Sequence, residues 1–136
     1  MPDNAAVVRQ FVEEILNRGD FDSAGRFMWE DVVQHVPFQG QSPGLAGFQE
    51  MMRDSRLAFP DIRWSVEEQV ADGDRVVTRF MWTGTHSGPF LGVEPTGRRV
   101  TVWGMAIDRV VDGRIKESRF LMDALGLMAQ LGKAPG

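Results

Sequence analysis

A chain of 136 residues is long enough for one domain with its own core, and 43% apolar against 25% charged residues is the mixture of an ordinary globular protein. A formal charge of −4 without a basic run excludes the electrostatic footprint of a nucleic-acid or membrane-surface binder. The lack of cysteine excludes disulfides, thiolate metal sites and cysteine nucleophiles, and no apolar run approaches the roughly 18 residues of a membrane helix.

The first residues are not a basic segment followed by an apolar one, so no signal peptide is expected and a cytoplasmic protein is. Asn4 can cap a first helix in which Val7, Phe11, Ile15 and Leu16 recur at helical spacing, and Gly19 is a natural stop. A short second helix is expected next, capped by Asp22 or Ser23, with Phe27 and Met28 on its buried side. Val32, Val33 and Val36 suggest a short strand closed by Pro37, and residues 38–43 a loop. Gly44 to Phe59 reads as a third helix with Leu45, Phe48, Met51, Met52 and Leu57 as its stripe, ended by Pro60.

The period then changes to two. Ile62, Trp64 and Val66 alternate with Arg63, Ser65 and Glu67, and Asp72-Gly73 is a hairpin signal before a return strand over 75–86. Residues 87–97, rich in glycine and proline, form a loop. Arg99 to Val110 is the next strand, Asp112-Gly113 a second tight turn, and a last strand starts at Ile115. A short helix follows from Asp123, with an unstructured tail at 134–136. Helices first and a meander of strands after them predict an α+β chain folded as a single domain over 1–136.

Taking Asp112 and Gly113 as the two turn residues pairs Ala106 with Arg119, Asp108 with Glu117 and Val102 with Asp123. Alternation then puts Glu117, Arg119, Leu121 and Asp123 on one face, and Phe120 and Met122 on the other.

Two stretches carry a family resemblance. Residues 83–102, TGTHSGPFLGVEPTGRRVTV, and residues 112–132, DGRIKESRFLMDALGLMAQLG, resemble the SnoaL-like polyketide cyclase family of the nuclear transport factor 2-like superfamily. His35 with Pro37, and Pro43-Gly44 opening a helix, fit the same pattern, which runs from about Val7 to Gly132. The resemblance implies a curved antiparallel sheet with three N-terminal helices forming a cone around one apolar pocket. It implies a cofactor-free cyclase or isomerase that moves protons on a small apolar, polyketide-like carbonyl compound. The alternative within the same fold is a non-catalytic binding or dimerisation module.

By the resemblance, Asp123 sits at the family's catalytic aspartate. Its apolar neighbours Phe120, Leu121, Met122, Ala124 and Leu125 would raise its pKa and suit proton exchange, whereas an Asp just before a helix is also a preferred N-cap. Arg119, where relatives commonly carry an aromatic residue, either anchors a ligand carbonyl or anion, or pairs with Glu117 or Asp108. His86 shares strand parity with Phe80 and Trp82 and is either a proton shuttle or a structural histidine. Asp123, His86 and Arg119 are thus the candidate catalytic residues. His35, Trp82, Phe80, Leu121 and Glu117 are the candidates for substrate binding. Two histidines without cysteine make no case for a metal, and no cofactor is expected. The chain has no tyrosine, which removes a Tyr oxyanion donor of the ketosteroid-isomerase kind. The expected partners are a small apolar ligand, neither nucleic acid nor membrane, and a second copy of the chain. Dimerisation, which the resemblance implies, would use a face carrying Trp103, Met105, Phe120 and Met122.

Overall fold

The computed structural model describes residues 3–38 and 40–133. Helix α1 (Asn4–Phe11) is capped by Asp3 rather than Asn4, the Asp3 carboxylate accepting from the Ala5 amide at 3.0 Å. The helix runs into a wider π-helical turn over Val12–Asn17, closed by the Arg18 amide donating to the Glu13 carbonyl at 3.2 Å. Gly19 leaves it at φ 72°, a conformation other residues rarely adopt. The Arg56 guanidinium lies against Gly19 and donates to the Leu16 and Asn17 carbonyls at 3.0 and 3.2 Å, satisfying acceptors that the helix end leaves open.

The expected second helix is only a 3₁₀ turn, Phe21–Arg26, and Met28 already belongs to strand β1 (Met28–Gln34). Helix α2 (Gly44–Ala58) follows, then β2 (Arg63–Asp72), β3 (Arg75–Thr85), β4 (Arg99–Val111), β5 (Arg114–Met122) and helix α3 (Ala124–Gln130). Asp112 at φ 50° and Gly113 at φ 80° make the β4–β5 turn with two left-handed residues, the twist that matches a hairpin.

The sheet order is β1-β5-β4-β3-β2. The expectation of a curved antiparallel sheet and three N-terminal helices making a cone is corrected on both counts. The sheet is mixed and open, because β1 runs parallel to β5 and strands β1 and β2 are its two edges. The helices are not three at the N-terminus: a π turn and a 3₁₀ turn stand between α1 and α2, and α3 follows the last strand. The α+β class itself stands. The direction of β1 is set by a partner more than eighty residues later in the chain (Met28 opposite Ile115), which local periodicity does not report.

The helices cover one face of this sheet. Val8, Phe11, Ile15 and Leu16 from the first segment, Phe48 and Met52 from α2, and Val76, Phe80, Val100 and Val102 from the strands are all buried in one core. Phe11 packs at 6.2 Å from Phe27 and 5.7 Å from Phe48, tying the first segment to α2.

The β4–β5 ladder begins as the turn predicts, with Val111 opposite Arg114 and Val110 opposite Ile115. Then it slips by one residue. Arg109 faces Glu117, Asp108 faces Ser118, Ala106 faces Phe120 and Gly104 faces Met122. Such a bulge turns every side chain beyond it to the opposite face. Among the described residues no helix is long and apolar enough to cross a membrane, and the expected tail at 134–136 lies outside those residues.

Candidate active site

Between the helices and the inner face of the sheet lies a cavity of about 1080 Å³, its opening included. Half of its lining residues are aromatic or methionine, and most of the rest are aliphatic. Phe80 stacks on Phe120 at 5.2 Å and 11°, and Trp64 meets Phe80 at 5.1 Å. Gly104 makes room for that stack: a Cβ there would lie 2.7 Å from Phe80 Cζ and 2.5 Å from the Leu121 carbonyl oxygen.

Across this apolar lining runs one polar row. Gln34 on β1 is opposite Ser118 on β5, which is opposite Asp108 on β4, and all three line the cavity. The Gln41 amide, from the loop before α2, donates to the Gln34 side-chain oxygen. Asp108 is 6% exposed and Ser118 8%. Burial pushes the Asp108 carboxyl up from 3.8 to about 6, against the opposing effect of a hydrogen bond from Ser118. A carboxyl balanced at that value can give or take a proton near neutrality, in surroundings that hold little water.

The residues singled out in the sequence divide between the two faces. Phe80 and Trp82 line the cavity as expected from their parity. Glu117, Arg119 and Leu121 do not, because the bulge turns them to the outer face and brings Ser118, Phe120 and Met122 inward. There Glu117 accepts from His35 Nε2 at 2.9 Å and from Arg109 at 3.1 Å, and Arg109 also bonds Asp74 at 2.9 Å. The hydrogen bond from His35, then that from Arg109, holds the Glu117 carboxyl below its ordinary value. Arg119, opposite Ile107, is exposed.

Asp123 stands at the start of α3, and its carboxylate accepts from the Gly126 amide at 2.9 Å. A Cβ on Gly126 would lie 2.1 Å from Asp123 Oδ2, so the glycine is what lets the carboxylate fold over the helix end. His86 is fully buried but does not line the cavity. Its Nδ1 accepts from the Thr96 amide at 3.2 Å and its ring stacks on Phe59 at 5.5 Å, pinning the glycine loop to the wall behind the cavity.

A sequence model of the SnoaL-like polyketide cyclase family matches residues 6–131. The chain belongs to that family, within the nuclear transport factor 2-like superfamily. Nogalonic acid methyl ester cyclase of Streptomyces nogalater is 26% identical over 118 residues, 85% of this chain and 88% of its own length. Aklanonic acid methyl ester cyclase DnrD of Streptomyces peucetius is 29% identical over 131 residues, 93% of this chain and 89% of its own. Among solved structures, TsrD of Streptomyces laurentii superposes with a TM-score of 0.86 at 28% identity, covering 97% of this chain and 98% of that one. IdmH of Streptomyces antibioticus does so with 0.85 at 31%, covering 96% and 99%.

Sequence reasoning passed over the polar row of this SnoaL-like cavity, Asp108 above all. A signal for it was present. From Val100 to Val110 every second residue is small or apolar, Val100, Val102, Gly104, Ala106 and Val110, with Asp108 the one charged member of that set. A carboxylate on the apolar parity of a strand is a buried carboxylate.

Proposed function

We propose that the chain is a cofactor-free cyclase that closes a ring within a polyketide-like carbonyl compound, with Asp108 as the group that moves the proton. The observation that carries this reading is the Asp108 carboxyl, the one carboxyl among the described residues of the cavity wall, buried between Val76 and Ser118 and raised to about 6. Asp108 removes a proton from the carbon beside one carbonyl, and the electron pair of that C–H bond passes into an enolate. The enolate carbon attacks a second carbonyl of the same molecule, forming the new C–C bond. The resulting alkoxide takes a proton back from Asp108, which returns the carboxylate to its starting form. Ser118 orients the carboxyl, and the apolar walls fold the flexible substrate so that the two reacting carbons meet. The methyl esters named for the two Streptomyces cyclases are small, carbonyl-bearing candidates that such a cavity suits.

The test is turnover of nogalonic and aklanonic acid methyl esters by the wild type and by Asp108→Asn. Proton transfer by a positioned side chain is worth about 10²–10⁴ in rate. The variant is expected to lose that much of kcat while still binding the ester, and wild-type turnover by the variant would overturn the assignment. Asp123, His86 and Arg119 take no part in the scheme, since the first caps α3, the second anchors a loop and the third lies on the outer face. We also place a second copy of the chain on that outer face, where Trp103, Met105, Ile107 and Leu121 expose apolar surface on neighbouring strands.

A further inference from the structure

Among the described residues, two indole N–H groups of the cavity wall are buried without a hydrogen-bond partner, those of Trp64 and Trp82. The side chains are 9% and 2% exposed and stand directly opposite each other on β2 and β3, with ring centroids 6.0 Å apart. The other tryptophans differ. Trp29 donates to the Val111 carbonyl at 2.9 Å, and Trp103 is 47% exposed.

An indole nitrogen only donates, and a buried donor left unpaired carries the full penalty of losing its water. Phenylalanine would fill much of the same space without that cost. The fold also holds both rings in place. Phe59 packs edge-on to Trp82 at 5.0 Å, and Phe80 packs on Trp64 at 5.1 Å. The Asn17 amide brackets the Trp64 backbone, accepting from its N–H at 2.6 Å and donating to its carbonyl at 2.9 Å. Two fixed rings side by side in a cavity wall, each with an N–H that finds no acceptor from the protein, are suited to an acceptor that arrives with a ligand.

We infer that Trp64 and Trp82 form a carbonyl-binding subsite at the end of the cavity remote from Asp108. Trp82 is six residues along β3 from Val76, the residue opposite Asp108, which is about 20 Å of strand. The carbonyl received there is therefore distinct from the one activated at the carboxylate, and the preferred occupant is an elongated fused-ring ketone or quinone rather than a hydrocarbon of the same shape. The two indoles are positioning residues, since they hold the substrate while the proton moves elsewhere. This deepens the proposed cyclase reading and rests on the same cavity being the substrate site.

The experiment is an indole N–H NMR titration of the wild-type protein with 1-tetralone, and separately with tetralin, the same two rings without the carbonyl. Trp→Phe variants at each of the four positions assign the signals. The Trp64 and Trp82 signals are expected to move downfield with tetralone and much less with tetralin, while those of Trp29 and Trp103 stay in place. Trp64→Phe and Trp82→Phe should each weaken tetralone about tenfold, the worth of one hydrogen bond, and leave tetralin unchanged. Equal shifts with both probes, unmoved Trp64 and Trp82 signals, or no tetralone binding up to its solubility would overturn the subsite. The titration needs no turnover, so an inactive protein with shifting indoles would sink only the cyclase reading. With aklanonic acid methyl ester as substrate, the two variants should raise KM and spare kcat, the reverse of Asp108→Asn.

Discussion

The buried carboxyl of Asp108 couples stability and turnover to pH in opposite senses. Its pKa is raised from 3.8 to about 6 by burial, so between those values the folded chain holds a proton that the unfolded chain has released. Stability therefore falls as pH rises through that window, and the loss is complete above it. At about 1.4 kcal/mol per pKa unit, the full loss is of the order of 3 kcal/mol. Asp108→Asn carries no charge and is expected to be the more stable protein at pH 8 by up to that amount, with the advantage gone below pH 4. Urea midpoints at the two pH values measure it. Turnover runs the other way, because the base must be ionised: kcat/KM should climb with pH through about 6 in the wild type, with no such step in the residual activity of the variant. Asp123 has a different role. Replacing it with Ala removes the acceptor for the Gly126 amide and should cost about 1 kcal/mol, a drop of a few degrees in Tm, with kcat retained.

At the scale of elements, the β4–β5 hairpin shapes the site. Its turn residues set the first two pairs of the ladder, and the bulge then reverses which side chains of β5 face the cavity. At Gly104 the β4 strand passes under the Phe80 ring and against the Leu121 carbonyl with no room for a Cβ. Gly104→Ala puts a methyl group into that contact. The neighbouring backbone cannot yield as a side chain would, so the expected cost is about 1–3 kcal/mol in thermal or urea unfolding, as for other overpacked cores. The displaced Phe80–Phe120 stack should also narrow the cavity and raise KM for a polycyclic ester.

For the whole molecule, the open sheet has an inner face sealed by helices and an outer face that is not. Trp103, Met105, Ile107 and Leu121 are 38–66% exposed there, and Met105 stands directly opposite Leu121. Pairing with a second copy would cover them. Sedimentation of the wild type at micromolar concentration is expected to give a dimer, and Leu121→Glu with Met105→Glu a monomer that keeps its turnover, because neither side chain lines the cavity. A monomeric wild type would remove the outer face from the account.

Much of this molecule is legible in the sequence because its determinants are local. Helical spacing marks α1 and α2, the Asp112-Gly113 turn places one hairpin, the other turns at Gly73-Asp74, one residue past the Asp72-Gly73 signal, and the alternation of β3 puts Phe80 and Trp82 on the inner face. The family, too, is carried by contiguous motifs in residues 83–102 and 112–132. What only the tertiary structure decided depends on partners distant in the chain. The parallel direction of β1 comes from pairing with β5, and the one-residue slip leaves Lys116 as the extra residue on β5, the strand that lies between β1 and β4. That slip moved the polar contribution of β5 from Glu117 and Arg119 to Ser118 and made Asp108 its neighbour. In a strand the side-chain period is two, so one extra residue inverts the face, and a turn motif several residues away carries no trace of it.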